Sequence, residues 1–432
     1  MTGAEFRYLF TDDTHTRIST GWEPLSQKQF LETAELVKSL PAPAGPGPVW
    51  AQDLLQIARA MYLVDKRAAR NAALDGWTRT IHLVVQLVAP DLWRGQPQHL
   101  LEELLRTLTG DIWHLTFQSG AAEHPGTQGR LINDWRAEET ALFSAGLDST
   151  AYAAERAGVS GGPMLLIAYC DSKLQKRQAA TYRAIERTAE RPIHLQQTRQ
   201  TVRRNAGDLE QSTRSRGLLF LATAIYAAAA HNCDTVAIPE NGQLAINPPL
   251  SPGRLGACST RSVHPRTIDL TNQTLSAIGA PVTVTNPFLH LTKGEVCRRG
   301  LDAGLTPAAL FDTVSCGHPP LNYRGGSFFH CGYCYPCLVR QSGLWHAMHR
   351  DDTPYQRQFW NLPPRGDTHA DLRALQHWLD TEFTTRDLIA DMRLPGPVTP
   401  NSLMPVLLRG RDELRAMLDE LPRSHRTSGV GA

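Results

Sequence analysis

The segment LFSAGLDST, residues 142–150, decides the fold. It joins the short apolar run ETALFS to a stretch of helical periodicity that begins at Asp148. A small turn that contains glycine lets backbone N–H groups approach an anion, and the helix that follows adds the positive end of its dipole. The segment therefore predicts a phosphate-binding loop between a strand and a helix.

The side chains of this loop suit a nucleotide phosphate. Ser144 and Ser149 can donate hydroxyl hydrogen bonds to phosphate oxygens, and Asp148 can hold Mg²⁺ or cap the helix. A helix cap after an ordinary turn accounts for the same residues, so both interpretations are open at this point. No Gly-Lys-Ser/Thr follows the turn, which excludes the P-loop pattern.

Strand-like and helix-like segments alternate downstream of the loop. The runs MLLIAYC, RPIHLQQT and DTVAIP have the composition of short strands, whereas QKRQAATYRAIERTAE and RGLLFLATAIYAAAAH have the pattern of helices. This alternation predicts an α/β fold with a doubly wound parallel sheet, in which ligands lie at the carboxyl ends of the strands.

The 432 residues are expected to form three domains. The α/β domain spans residues 136–346. Residues 1–135 contain PAPAGPGP, a helix around residues 50–64 and the strand-like TRTIHLVVQLV and DIWHLTFQ, which indicate a separate N-terminal α+β domain with no catalytic constellation. In residues 347–432, DLRALQHWLDTEF and MPVLLRGRDELRAMLDEL predict a helical C-terminal extension, and RSHRTSGVGA predicts a disordered tail.

The composition is that of a globular protein, with 41% hydrophobic and 20% charged residues. A net charge of +2 gives no overall field that favours nucleic acid, although local basic patches leave that partner open. The N-terminus MTGAEFRYLF lacks the regions of a signal peptide, and AIYAAAA is too short to span a bilayer. We therefore expect a cytoplasmic protein without a membrane partner.

Four of the eight cysteines lie close together in the sequence: Cys316, Cys331, Cys334 and Cys337. Such clustering without a secretion signal favours a metal over disulfides, and the spacing predicts a closed, structural Zn²⁺ site. An iron–sulfur cluster is the alternative. His318 or His330 could also replace one cysteine. The isolated cysteines are expected to be buried thiols: Cys170, Cys233, Cys258 and Cys297.

The phosphate loop resembles the Ser-Gly-Gly-x-Asp-Ser loop of the PP-loop ATP pyrophosphatases, which bind the β- and γ-phosphates of ATP and release pyrophosphate. One position departs, because Ala145 stands where the first glycine is expected. Alanine resists a positive φ, but its small side chain permits close approach of a phosphate. The resemblance implies a PP-loop (HUP-like) fold, ATP as cosubstrate and an ATP-binding set: Phe143, Ser144, Ala145, Gly146, Leu147, Asp148, Ser149, Thr150, Arg216 and Lys293.

The loop and the cysteine cluster, in this order and separation, resemble the QueC family of 7-cyano-7-deazaguanine synthases over roughly residues 138–346. The stretch TRSRGLLFLATAIYAAA resembles that family's Arg-Asn-Ile-Phe-Leu helix start, which places Arg216 toward the nucleotide. NPFLHLTKGEVC resembles its Pro-Leu, Leu-Ser-Lys-Ala-Glu segment, which places Lys293 at a helix N-terminus near the phosphates. Only six of the 44 basic residues are lysines, so a lysine at this position carries information.

The resemblance implies a reaction class. In that family a 7-carboxy-7-deazaguanine carboxylate is adenylated, attacked by ammonia to give an amide, and activated again to give a nitrile. AMP turns a poor leaving oxygen into a good one, while cations offset the charge that develops on the phosphates. The implied catalytic residues are Asp148, Arg216 and Lys293, with Mg²⁺ at the phosphates.

The family's substrate segment, Asp-Tyr-Ser-Gly-Tyr-Pro-Asp-Cys-Arg, is absent and is replaced by ENGQLAINPPLSPGRLGACSTRSVHP, residues 240–265. In this segment Asn241 could read a purine-like edge, Arg261 could pair with a carboxylate or phosphate, and Asn247 is a further candidate for substrate binding. A Pro-rich structural lid accounts for the segment equally well. Weaker candidates are Glu240, Ser259, Thr260 and, as a nucleophile with its base, Cys258 with His264.

The long form with Asn-Pro-Pro-Leu and Cys-Ser-Thr-Arg resembles the QueC-like components of bacterial Qat anti-phage defence systems. This resemblance implies a defence role with protein partners. The leading hypothesis is adenylation of a deazapurine-type carboxylate, followed by amide or nitrile formation with ammonia or a macromolecular amine. Two alternatives are a nucleotide-binding subunit of a defence complex without turnover, and a PP-loop enzyme that modifies tRNA.

Overall fold

The computed structural model describes the following residues: 5–11, 19–36, 46–123, 136–170, 174–202, 209–212, 214–250, 261–318, 321–322, 328–362, 369–391, 393–396 and 398–428. The strands are β1 (Glu5–Phe10), β2 (Glu23–Leu25), β3 (Phe30–Leu36), β4 (Thr80–Leu87), β5 (Ile112–Ser119), β6 (Glu139–Leu142), β7 (Met164–Tyr169), β8 (Ile193–Val202), β9 (Thr235–Ala237), β10 (Thr283–Thr285), β11 (Leu321–Asn322) and β12 (Phe328–Phe329). The helices are α1 (Val49–Arg67), α2 (Gln96–Thr109), α3 (Leu147–Ala157), α4 (Gln175–Glu186), α5 (Arg216–Ala230), α6 (Gly242–Ile246), α7 (Pro265–Ala277), α8 (Lys293–Asp302), α9 (Pro307–Phe311), α10 (Tyr335–Met348), α11 (Ala370–Asp380), α12 (Thr385–Asp391) and α13 (Pro400–Ser428).

The larger sheet has the strand order β10-β9-β6-β7-β8-β3, and all of its strands except β3 run parallel. This order confirms the predicted parallel α/β fold. The chain leaves β6 toward β7 on one side, and β9 later takes the place on the other side. The loops after β6 and β9 therefore diverge and open a crevice at the carboxyl ends of these strands. The phosphate loop directly follows β6.

The smaller sheet has the order β2-β1-β4-β5, and its strand pairs are all parallel. Our expectation of an α+β domain at the N-terminus was therefore wrong. The crossover from β4 to β5 is made by α2, as parallel pairs require. Most of β4 is buried, which is typical of a strand covered on both faces.

One strand crosses the boundary expected at residue 135. β3 lies early in the chain but pairs antiparallel with β8 at the edge of the larger sheet, from Phe30 opposite Val202 to Leu36 opposite Gln196. In addition, α1 packs against α5 and α2 packs against α7, so one hydrophobic core runs between the two sheets. The three-domain division stays a prediction, and its first two parts share a sheet.

A buried ion network joins the N-terminal sheet to α5. Asp65, near the end of α1, accepts a hydrogen bond from Arg79 Nη2 at 2.6 Å. It also accepts hydrogen bonds from the backbone N–H and the hydroxyl of Ser215, at 3.0 and 2.8 Å. Arg79 in turn donates to Asp111 from its Nε at 3.1 Å. Because Ser215 immediately precedes Arg216, the network fixes the start of the helix that carries Arg216.

The C-terminal helices that the sequence predicts are confirmed as α11 and α13. The extension contacts the α/β part of the chain through α13, which packs against α10, α8 and α6. The expectation of a disordered tail was wrong for residues 423–428, because α13 continues to Ser428. Between Pro422 and Gly429 the sequence contains no glycine or proline that would end a helix. Residues 429–432 lie outside the described residues.

Among the described residues, no helix combines the length and the apolar composition that crossing a membrane requires.

Asp65→Ala is expected to lower the free energy of unfolding by about 3–5 kcal/mol, because it leaves the buried Arg79 guanidinium with one carboxylate fewer. Urea unfolding followed by tryptophan fluorescence measures this loss. Asp75→Ala is the control, since Asp75 is exposed and accepts its hydrogen bonds from Trp77 and Thr78 within a surface turn. Its expected loss is about 1 kcal/mol or less. Equal losses in the two variants would contradict the role of the network.

Candidate active site

Serine hydroxyl groups in and beside the phosphate loop accept hydrogen bonds from its backbone N–H groups. The N–H of Gly146 donates to Ser144 Oγ at 3.1 Å, and the N–H of Ser144 donates to Ser149 Oγ at 3.3 Å. The N–H of Leu147, at the start of α3, donates to Ser315 Oγ at 3.3 Å. These weak bonds tie the N–H groups of a helix N-terminus to hydroxyls that a phosphate could replace or join.

Ala145 adopts the conformation that its glycine counterpart would favour. Its φ is +61°, and its carbonyl oxygen accepts a hydrogen bond from the N–H of Val314 at 2.7 Å. A non-glycine residue in the left-handed region costs roughly 1–2 kcal/mol. The loop therefore keeps its shape despite the alanine, at the expense of some local strain.

A buried ion pair lies under the loop. Asp148 Oδ2 contacts Lys293 Nζ at 2.7 Å and accepts a hydrogen bond from Asn241 Nδ2 at 3.0 Å. The side chains of Asp148 and Lys293 are only 5% and 2% exposed. The other oxygen, Asp148 Oδ1, is buried and has no hydrogen-bond donor among the described residues. The ion pair and Asn241 together join the segments that follow three parallel strands. Asp148 follows β6, Asn241 follows β9 and Lys293 follows β10.

The charges of this cluster are unequally distributed between its carboxyl groups. Burial raises the pKa of Asp148, but the Lys293 ammonium together with hydrogen bonds from Glu240, Lys293 and Asn241 leaves the pKa below its usual value. Burial and the neighbouring Asp148 carboxylate together hold the pKa of Glu240 well above its usual value. Asn241 Nδ2 also donates to Glu240 Oε1 at 3.0 Å. Asp148 is therefore the charged partner of Lys293, while Glu240 retains its proton more readily.

A cavity of about 600 Å³ opens above the ion pair, a size typical of small-ligand sites. Its wall includes Asn247, Arg216 and Arg261, three of the residues predicted for the site. The described lining residues are Ser144, Gly146, Leu147, Asp148, Ser149, Arg216, Pro239, Glu240, Leu244, Asn247, Pro248, Pro249, Leu250, Arg261, Ser262, Val263, Lys293, Val314, Ser315, Cys316, Gly317, His318, Cys334, Tyr335, Pro336 and Asp371.

Four of the predicted site residues lie behind this wall. Phe143, Ala145 and Thr150 have buried side chains outside the cavity lining. The Asn241 side chain is also buried, and its oxygen caps α6 by accepting a hydrogen bond from the N–H of Leu244 at 3.2 Å. The amide of Asn241 thus orients Asp148 and Glu240 rather than facing the cavity.

The weaker nucleophile hypothesis gains no support from the described geometry. His264 caps α7, where its Nδ1 accepts a hydrogen bond from the N–H of Arg266 at 3.1 Å. Burial lowers the pKa of His264 to about 3, so the imidazole stays neutral. Its proposed partner Cys258 lies outside the described residues, as do Ser259 and Thr260.

Sequence reasoning missed several residues of the cavity wall. Ser315 and Gly317 flank the first cysteine of the cluster, and that neighbourhood was the available signal. Tyr335 and Pro336 lie inside the Cys-x-x-Cys run, so the cysteine spacing was the available signal for these two residues as well. Asp371 comes from the C-terminal extension, where its Oδ2 accepts a hydrogen bond from the N–H of Tyr335 at 2.8 Å. No local pattern in the sequence marks Asp371 as a cavity residue.

The four clustered cysteines meet beside the cavity. The sulfur atoms of Cys316, Cys331, Cys334 and Cys337 all lie within 4.8 Å of one another. Those of Cys331 and Cys337 are 3.7 Å apart. This distance agrees with the separation of about 3.8 Å between two sulfurs bound to one tetrahedral Zn²⁺. The N–H groups of Gly317 and Cys334 donate to cluster sulfurs at 3.3 Å, which stabilises thiolates.

This donor set fits a single four-coordinate ion. A cluster of several iron atoms would hold its thiolates farther apart, so the geometry favours zinc over the iron–sulfur alternative. His330 is engaged elsewhere, because its Nε2 accepts a hydrogen bond from the N–H of Ser315 at 3.2 Å. His318 Nδ1 lies 3.3 Å from Cys331 Sγ and lines the cavity. The four cysteines therefore suffice for a closed structural site.

The segment that carries Lys293 and all four cysteines has known relatives. Residues 262–348 match the family described as queuosine biosynthesis protein QueC. The phosphate loop lies outside the matched residues. This part of the chain is thus similar to part of the QueC family.

Curated relatives match over a similarly short stretch. The 7-cyano-7-deazaguanine synthase of Syntrophobacter fumaroxidans is 38% identical over 76 residues, which is 18% of this chain and 29% of that protein. The enzyme of the same name from Kineococcus radiotolerans is 32% identical over 82 residues, 18% of this chain and 31% of its own. The enzyme of the same name from Alcanivorax borkumensis is 33% identical over 79 residues, which is 18% of this chain and 32% of that protein. The chain covers less than a third of the length of these relatives.

Purified protein is expected to contain about one zinc ion per chain, measured by inductively coupled plasma mass spectrometry. Cys334→Ser should lose the ion and lower the melting temperature, because three thiolates no longer close the site. Cys170→Ser is the control, since Cys170 is buried away from the cluster. Iron in place of zinc, or full zinc retention in Cys334→Ser, would disprove the assignment.

Proposed function

We propose that this protein uses ATP to adenylate the carboxylate of a 7-deazaguanine-type acid, which then forms an amide or a nitrile. The observation that carries the proposal is the 2.7 Å contact between Asp148 of the phosphate loop and Lys293 of the QueC-like segment. The phosphate loop and the QueC-like segment thus meet in one cavity, whose size suits a small ligand.

The proposed chemistry has two steps for the amide. A carboxylate oxygen attacks the α-phosphorus of ATP, the bond to the β-phosphate breaks, and pyrophosphate leaves. An amine then attacks the carbonyl carbon, AMP leaves with the bonding electrons, and the amine gives up a proton. In this scheme the hydroxyls of Ser144 and Ser149 bind phosphate oxygens, while Arg216 and Lys293 offset the charge on the leaving pyrophosphate. With ammonia as the amine, the amide oxygen attacks a second ATP and pyrophosphate leaves again. AMP then departs with the electrons of the C–O bond, and loss of the two N–H protons leaves the nitrile.

Asp148 and Glu240 are the residues that would hold Mg²⁺. The buried Asp148 Oδ1 has no donor among the described residues, and Mg²⁺ takes carboxylate oxygens together with phosphates. Glu240 supplies a second carboxyl group on the same wall. When bound, Mg²⁺ neutralises phosphate charge.

The opposite part of the wall suits the acid. Arg261 can pair with its carboxylate, and Asn247 offers hydrogen bonds to the heterocycle. Leu250 and Pro249 provide apolar surface for a planar ring. Asp371 can accept N–H donors of the kind that a guanine edge presents.

Two further roles belong to the proposal. The resemblance of the long form to Qat components supports a place in cytoplasmic anti-phage defence, with protein partners. For tRNA thiolation a catalytic cysteine pair is expected, but the described cysteines of the cavity wall, Cys316 and Cys334, belong to the metal set. The positive φ of Ala145 keeps the loop in the conformation that glycine would favour, so the alanine does not count against phosphate binding.

Asp148→Asn is expected to lower pyrophosphate release by about 100-fold or more, because it removes the anionic partner of Lys293 and a carboxylate that would hold Mg²⁺. A coupled phosphate assay with ATP and Mg²⁺ measures the rate. Glu155→Gln on the same helix is the control, because Glu155 only pairs with Arg299 at the surface. An Asp148→Asn enzyme with full activity would refute the nucleotide site.

Wild-type protein is expected to release AMP and pyrophosphate in equal amounts only when 7-carboxy-7-deazaguanine is present with ATP and Mg²⁺. Mass spectrometry of the mixture with ammonium should show the amide or the nitrile. Guanine serves as the control, because it lacks the carboxylate that is adenylated. Release that is independent of the acid, or absent with it, would count against this substrate class.

A further inference from the structure

The C-terminal helix α13 reaches the first turn of α8. Glu413 is 5% exposed and accepts hydrogen bonds from the hydroxyl of Thr292 and, at 3.0 Å, from the N–H of Gly294. These two residues flank Lys293 in the sequence. A carboxylate from the extension therefore holds the residues on both sides of the lysine.

The first turn of α8 needs this outside acceptor. Thr292 and Glu295 form a capping box, in which Thr292 Oγ1 accepts from the N–H of Glu295 and Glu295 Oε2 accepts from the N–H of Thr292. The N–H of Gly294 is one of the first helical donors and has no partner within the helix. Glu413 satisfies it, and a negative charge there also suits the helix dipole.

Close packing on either side leaves little freedom to Lys293. A Cβ atom on Gly343 of α10 would overlap the Lys293 side chain, and a Cβ on Gly294 would lie 2.6 Å from Glu413 Oε1. α10 and α13 thus both pack closely against the start of α8. The lysine stem is fixed between them while its ammonium contacts Asp148.

Glu413 itself is not placed for stability. Burial raises its pKa to about 7, against the hydrogen bonds from Thr292 and Gly294 that lower it. The titratable and charged groups that face it are His346, whose Nε2 is 3.9 Å from Oε1, together with Glu295 and Arg409. A folded-state pKa above the unfolded one means that its ionisation costs stability once the pH rises above the unfolded value.

We propose that Glu413 is a positioning residue of the nucleotide site, which fixes the first turn of α8 so that Lys293 stays on Asp148. The C-terminal extension is then part of the catalytic apparatus. This inference rests on the proposed function, because the position of Lys293 matters to the rate only if phosphate charge develops beside it.

The test compares two residues of α13 that anchor it to different helices. Glu413→Ala removes the acceptor at α8, whereas the control Glu420→Ala removes a hydrogen bond from Trp345 Nε1 of α10, 2.9 Å long. Glu413→Ala should lower kcat for pyrophosphate release about tenfold or more with little change in KM for the acid. Glu413→Gln should recover most of kcat, because its amide oxygen still accepts from Gly294. Glu420→Ala should keep kcat within about twofold.

Equal kcat in Glu413→Ala and Glu420→Ala would overturn the proposal, as would a Glu413→Gln enzyme that is as slow as Glu413→Ala. If wild-type protein releases no pyrophosphate, the proposed function fails, and calorimetric titration with Mg·ATP decides on Glu413 alone. Binding about fivefold or more weaker in Glu413→Ala, and unchanged in Glu420→Ala, supports the positioning role. Unchanged binding in both variants, or no binding of ATP to wild type, overturns it.

Discussion

The contact between Asp148 and Lys293 is the interaction on which the rest of the structure depends. Both side chains are buried, and a buried ion pair is stable only while both charges are present and well hydrogen bonded. Asn241 supplies the additional bond, and the ends of three parallel strands supply the positions. The N-terminal part contributes through the Asp65–Ser215 link to α5, and the C-terminal part through Glu413. Segments from the N-terminal, central and C-terminal parts of the chain therefore position residues of the same cavity wall, which includes Arg216 and this pair of charges.

The sequence predicted those features that local patterns encode. Alternation of apolar strands with helices gave the parallel sheet, because residue periodicity reflects which face is buried. The loop after β6 and the cysteine spacing were found because their chemistry depends on short distances along the chain. Lys293 was placed correctly at a helix start, where Thr292 and Glu295 form a capping box.

Long-range contacts were beyond local patterns. The parallel N-terminal sheet and the pairing of β3 with β8 depend on partners far away in the sequence. For the same reason Asp371 and Glu413 could not be recognised, since each is an ordinary acidic residue of an amphipathic helix until its contact is known. Asn241 was predicted to read a purine-like edge, whereas its side-chain amide donates to carboxyl groups of the protein itself.

The position of β3 imposes an order on folding during synthesis. The N-terminal sheet can close once β5 has left the ribosome, whereas β3 must wait for β8, which is made much later. Until then the backbone donors and acceptors of β3 have no ladder in this sheet, and open strand edges are prone to join other chains. The growing chain therefore passes through a stage in which one finished strand has no neighbour, and a chaperone that shields strand edges would act during that stage.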